Sequence, residues 1–136
     1  MKLTNLGDEF ELWKKDFHGV KDETRRFLEH LIEDKKKINR FNLWKHQLDA
    51  ILRFIYSYEV LGKNNLLLNI VTGGGKTAII GACVAWLKMC HKLDKFLVLV
   101  PNLIVKDRLQ KDFLVVKGEE SVFKQFDLFP NEFKQL

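Results

Sequence analysis

The residues best suited to chemistry are Ile70-Val71-Thr72-Gly73-Gly74-Gly75-Lys76-Thr77. A buried strand that ends in glycines and feeds a helix leaves several backbone N–H groups without partners and aims them at one point, which makes an anion site. Side chains in place of Gly73, Gly74 and Gly75 would block either the backbone angles of the turn or the close approach of a phosphate. Lys76 then reaches the β- and γ-phosphates as a point charge, and Thr77, the first helical residue, offers its hydroxyl oxygen to Mg2+. The strict phosphate-loop pattern has glycine at the first of these eight positions, where this chain has Ile70. A glycine turn that only caps a strand is the plain structural alternative. Three successive glycines followed by Lys-Thr, between two apolar segments, favour a nucleotide phosphate site.

The flanking segments must position that loop. Leu66 to Val71 is a short continuous apolar run bounded by Lys63-Asn64-Asn65 and the glycines, which suits a strand buried on both faces. Ala78 to His91 is apolar nearly all round, as expected of a helix buried between layers. Phe96 to Val100 reads as a second buried strand closed by Pro101-Asn102, and Leu103 to Phe113 as a second helix, with Asn102 a favoured cap. Strand, glycine loop, helix, strand, helix is the grammar of a parallel sheet, so the expected fold class is α/β. In such sheets ligands bind beyond the carboxyl ends of the strands, which would bring the loops after Val71 and Val100 to one edge.

Upstream, Leu43, Gln47, Ala50, Ile51, Phe54, Ile55, Tyr58 and Leu61 share one helical stripe, and Gly62 is placed to stop it. From Asp8 to Ile38 the charges alternate, while Phe10, Trp13 and Phe17, then Phe27, Leu28, Leu31 and Ile32, keep the spacing of amphipathic helices. Lys35-Lys36-Lys37 reads as a solvated helix end facing the negative end of the dipole.

Composition narrows the class. With 136 residues, 46% apolar and 30% charged, the chain is long enough for one modest globular domain and is neither a disordered tail nor a fibrous repeat. A net charge of +5 favours polyanions only mildly. The apolar stretch from Thr77 to Cys90 is broken by Lys88 and falls short of the roughly 20 residues of a membrane span. Met1 to Glu11 carries three acidic residues and no signal-like apolar core, so the expected compartment is the cytoplasm. Cys83 and Cys90 read as small buried apolar residues, and no protein-ligated metal site is expected from His18, His30, His46 and His91.

Thr72-Gly73-Gly74-Gly75-Lys76-Thr77 resembles motif I of superfamily 2 helicases, whose first position is commonly apolar, as Ile70 is here. Leu43-Trp44-Lys45-His46-Gln47 resembles the Leu-Arg-x-His-Gln element that precedes motif I in the DEAD/DEAH-like branch, with Trp44 in place of the arginine. Phe96 to Leu103 resembles motif Ia, and Leu103-Ile104-Val105-Lys106-Asp107-Arg108-Leu109 is similar to the Res subunit of type III restriction enzymes. The resemblance implies ATP and Mg2+ as cofactors and a partial P-loop NTPase sheet of the RecA-like kind, preceded by a helical N-terminal extension (1–40) and occupying residues 41–136. It implies catalytic roles for Lys76 and Thr77, with Thr77 on the magnesium. Gln47, Thr72, Gly73, Gly74, Gly75, Lys76 and Thr77 would form the nucleotide site, Gln47 reading the adenine edge. Pro101, Asn102 and Arg108 would contact nucleic acid, DNA in the first instance with RNA left open. Gln47 as a helix-boundary polar residue, and Lys106 and Arg108 as solvated charges, remain the alternatives.

Hydrolysis in such motors needs an Asp-Glu-x-x motif on a later strand and an arginine from a second lobe. Neither is recognisable, and Glu119-Glu120 follows Lys117-Gly118 in a turn-like stretch that does not read as the end of a buried strand. The chain therefore reads as the N-terminal part of a motor that translocates along or unwinds DNA, incomplete in catalysis by itself. The remaining lobes, and a modification or specificity subunit, are the expected partners. An exposed sheet edge and poor solubility would follow. Two other readings stand beside this one: a phosphate-loop kinase or GTPase, and a nucleotide-binding interaction module without motor activity.

Overall fold

The structure is a computed structural model, and it describes residues 6–71, 75–113 and 120–130. Six α-helices appear among them: α1 Leu6–Trp13, α2 Asp22–Ile32, α3 Lys45–Ile55, α4 Lys76–His91, α5 Leu103–Phe113 and the short α6 Val122–Gln125. A 3-10 turn, Lys35–Ile38, follows α2, and a π-helical turn, Tyr56–Val60, continues α3. The helical stripe read from Leu43 onward thus begins at Lys45 and ends in a wider coil, with Gly62 at φ 67 after it.

Helix α4 forms the centre. Ala78, Gly81, Ala82 and Ala85 are buried along it, and their small side chains let α2, α3, α5 and α6 come close. At Gly81 an added Cβ would meet Val122 Cγ1 at 3.0 Å and Leu128 Cδ1 at 3.3 Å, so the packing around this glycine is tight and a side chain there would push on both neighbours. Around α4 gather Phe10 and Trp13 of α1, Phe27, Leu28 and Leu31 of α2, and Ile51, Leu52 and Ile55 of α3 in one continuous core with Trp86 and Met89. The amphipathic spacing of the first forty residues therefore serves burial, except at Ile32, which is exposed.

Buried polar groups in this core are chained together. The Trp86 Nε1–H donates to Thr24 Oγ1 at 3.1 Å, and the Thr24 hydroxyl donates to Glu59 Oε1 at 3.0 Å. The Lys35-Lys36-Lys37 run is not uniformly solvated. Lys35 is buried, its ammonium donating to the carbonyl of His30 and lying 3.8 Å from Asp127 Oδ2, while Lys36 and Lys37 face solvent.

The expected parallel sheet is corrected. Among the described residues there is no strand, and neither Leu66–Val71 nor Phe96–Val100 enters a ladder. Both runs show instead a period-two trace of exposure. Leu68 and Ile70 pack on the core, while Leu67 is 93% and Val71 76% exposed. In the second run Leu97 and Leu99 are the most exposed, at 85% and 84%. A continuous apolar run signals a need for burial but names no partner. Two short parallel strands without further neighbours pair weakly, and three or more are needed for independent stability.

Candidate functional site

The glycine loop meets α4 at Gly75, whose backbone is left-handed at φ 72, ψ 44 and serves as the N-cap. Lys76 is the first helical residue and is exposed, and Thr77 follows it partly buried. The N–H of Ala78 bonds the carbonyl of Gly75 at 3.2 Å, closing the first turn. The first turn of α4 carries no acidic side chain, so nothing there opposes an anion at the positive end of the helix dipole. Thr72, Gly73 and Gly74 lie outside the described residues.

Gln47 is brought directly to this loop. It is 3% exposed, its Nε2 donates to the carbonyl of Gly75 at 3.2 Å, and its Oε1 accepts from the N–H of Trp44 at 2.8 Å. The second bond is the reciprocal half of a capping box, with Gln47 at the third position of α3. A Cβ added at Gly75 would come within 2.0 Å of Gln47 Nε2, so glycine is needed here both for the left-handed backbone and for the contact. Both ends of the carboxamide are thereby engaged inside the protein. Beside it Trp44 is 60% exposed with its ring centroid 5.5 Å from that of His46, an aromatic surface that sequence reading passed over when it treated Trp44 only as a replaced arginine.

Pro101 and Asn102 form the exposed bend before α5. Asn102 caps that helix: its Oδ1 accepts from the N–H of Val105 at 3.0 Å and its carbonyl from the N–H of Lys106 at 3.1 Å. Arg108 is exposed, and α5 buries none of its residues. Among the described residues no group of three or more His, Cys, Asp or Glu converges to hold a metal ion, and no helix is long and apolar enough to cross a membrane.

A family model described as type III restriction enzyme, res subunit, matches residues 40–135. The chain belongs to that family. As a res-subunit family member it carries a helicase-like domain of a class that is in general ATP-dependent, uses ATP and Mg2+, and binds DNA. The match takes in Gln47, the glycine loop, α4 and α5. No curated protein and no solved structure matches the chain.

Among the described residues, the helix start behind the left-handed Gly75 and the exposed ammonium of Lys76 are of the kind that suits a phosphate, and the hydroxyl oxygen of Thr77 is of the kind that suits Mg2+.

Proposed function

We propose that the chain binds ATP with Mg2+ at the start of α4 and that, in the complete protein, hydrolysis drives movement along DNA or its unwinding, as in the Res subunit of a type III restriction system. The observation that supports this reading is the bond from Gln47 to Gly75, which ties α3 to the loop carrying the glycine-lysine-threonine sequence, inside the residues that the family model matches. Lys76 and Thr77 are the catalytic pair in this proposal, with Thr77 on the magnesium and Thr72, Gly73, Gly74 and Gly75 around the phosphates. Bound Mg2+ would neutralise phosphate charge there. Pro101, Asn102 and Arg108 contact the nucleic acid, with the capped start of α5 offering further backbone N–H groups. The division into an extension (1–40) and an ATP-binding part (41–136) belongs to the same proposal, as do the second lobe and a modification or specificity subunit as partners.

A specific observation favours a second reading for Gln47. With its carboxamide bonded at both ends, Gln47 acts as a clamp on the loop, and the exposed ring of Trp44 is the better candidate to meet the base. The test is calorimetry with MgATP and MgGTP on wild type, Lys76→Ala and Trp44→Ala. The proposal expects ATP to bind, Lys76→Ala to lose at least tenfold in affinity, and Trp44→Ala to weaken ATP without unfolding the protein. Equal affinity in wild type and Lys76→Ala would overturn the phosphate site, and preference for GTP would overturn the motor assignment.

A further inference from the structure

A cavity of about 1110 Å³ opens at the other end of α4, between the 3-10 turn that follows α2 and the segment 121–129. Lys88, Met89 and Lys92 bring the C-terminal end of α4 to it, so it lies about 20 Å from Lys76 along a 16-residue helix. We propose that this cavity binds one nucleotide unit, an aromatic base carrying a phosphate, either free or within a single strand, at a site separate from the glycine loop.

Three features of the cavity argue for this ligand. Its lining holds six lysine or arginine side chains against four carboxylates, and Glu120 adds a fifth carboxylate beside two of them. Arg40 and Lys124 share that one carboxylate, at 2.7 and 3.4 Å, which leaves a single positive charge in excess there. Asp94 and Lys88 offset each other at 2.9 Å, and Asp34 accepts from Asn42 and from the backbone N–H of Lys36.

One wall is aromatic. Phe123 and Phe129 are partly exposed, with centroids 5.4 Å apart, and offer the ring surface on which a base stacks. Ser121, only 8% exposed, does not use its side chain to cap α6, and its hydroxyl is available to a base edge as donor or acceptor. Among the other lining residues His30 Nε2 lies 2.6 Å from the carbonyl of Asp127, and the Lys35 ammonium lies 3.8 Å from its carboxylate.

The experiment is isothermal titration with thymidine monophosphate and with a 5′-phosphorylated octathymidylate, in magnesium-free buffer, on wild type, Lys76→Ala, Phe123→Leu and the double variant Lys37→Glu/Lys124→Glu. Thymine and the lack of a triphosphate disfavour the glycine loop, and Lys76→Ala silences it. Binding is expected to survive Lys76→Ala, to fall at least tenfold in the double variant and severalfold in Phe123→Leu, which keeps apolar bulk but removes the ring. Lys37 and Lys124 are both exposed, so an unchanged melting temperature shows that the double variant is folded. Tighter, more salt-sensitive binding of the octamer identifies a strand as the source, and equal affinities identify the free nucleotide. Silence with both probes, loss of binding in Lys76→Ala, or affinity untouched by the double variant would overturn the proposal.

Discussion

The Gln47 carboxamide donates to the carbonyl of Gly75 at 3.2 Å across 28 residues of sequence, and the same contact leaves no room for a side chain at Gly75. Local strain and long-range fit are thus combined at one position. Gly75→Ala is expected to destabilise by about 1 to 2 kcal/mol through its left-handed backbone alone, with the clash adding to this. Gln47→Ala removes two part-buried hydrogen bonds and costs about 1 to 3 kcal/mol. Because Gln47→Ala also removes the obstructing amide, the double variant should be more stable than the two single losses predict, with a coupling on the order of 0.5 to 3 kcal/mol. Urea denaturation of the four proteins measures it, and strict additivity would refute the contact.

Thr24 stands between two groups that depend on its hydroxyl, the Trp86 indole and the Glu59 carboxylate. Thr24→Val keeps the shape and strips the hydrogen bonds, leaving a buried N–H without its acceptor. A loss of about 1 to 3 kcal/mol is expected, read as a lower midpoint in urea with an unchanged slope.

Stability should also depend on pH through His91. Burial, and then the nearby Lys21 ammonium at 3.3 Å from Nδ1, hold this imidazole below its ordinary value of 6.5, with Glu59 opposing. A depressed pKa in the folded state means that the unfolded chain takes up the proton first. The contribution is therefore complete above about pH 6.5 and is lost as the pH falls through the folded value. Thermal melts should be flat on the alkaline side of that point and decline on the mildly acidic side, and His91→Gln should flatten the decline.

Burial pushes the Cys83 thiol up to about 12 and the Cys90 thiol up to about 11. Thiolate is the reactive form. Neither cysteine should be modified by a disulfide reagent in the native protein at mildly alkaline pH, and both should react once denaturant is added.

The helices were legible because their signals are local. The apolar stripe of α3, the apolar run of α4 and Asn102 ahead of α5 each lie within the element they describe. The placement of the candidate residues on their elements was legible to the same degree: glycine, lysine and threonine are adjacent at the start of α4, and Gln47 stands on a recognisable helix start. What was not legible depends on distant partners. Leu66–Val71 and Phe96–Val100 read as strands from their apolar content, yet pairing is decided by neighbours that such a run cannot specify. Lys35 looked like its solvated neighbours because Asp127, the carboxylate that makes its burial tolerable, lies far along the chain. The engagement of Gln47 on both sides was hidden for the same reason.

The shared core has a practical corollary for anyone dissecting the molecule. Phe10, Trp13, Phe27, Leu28 and Leu31 all precede residue 40, where the family match starts, yet they shield Ile51, Ile55 and Trp86. A gene fragment trimmed to the matched region would shed that shield and present an oily surface to water. Aggregation of such a fragment would report a lost lid of helices rather than any fault in the glycine loop.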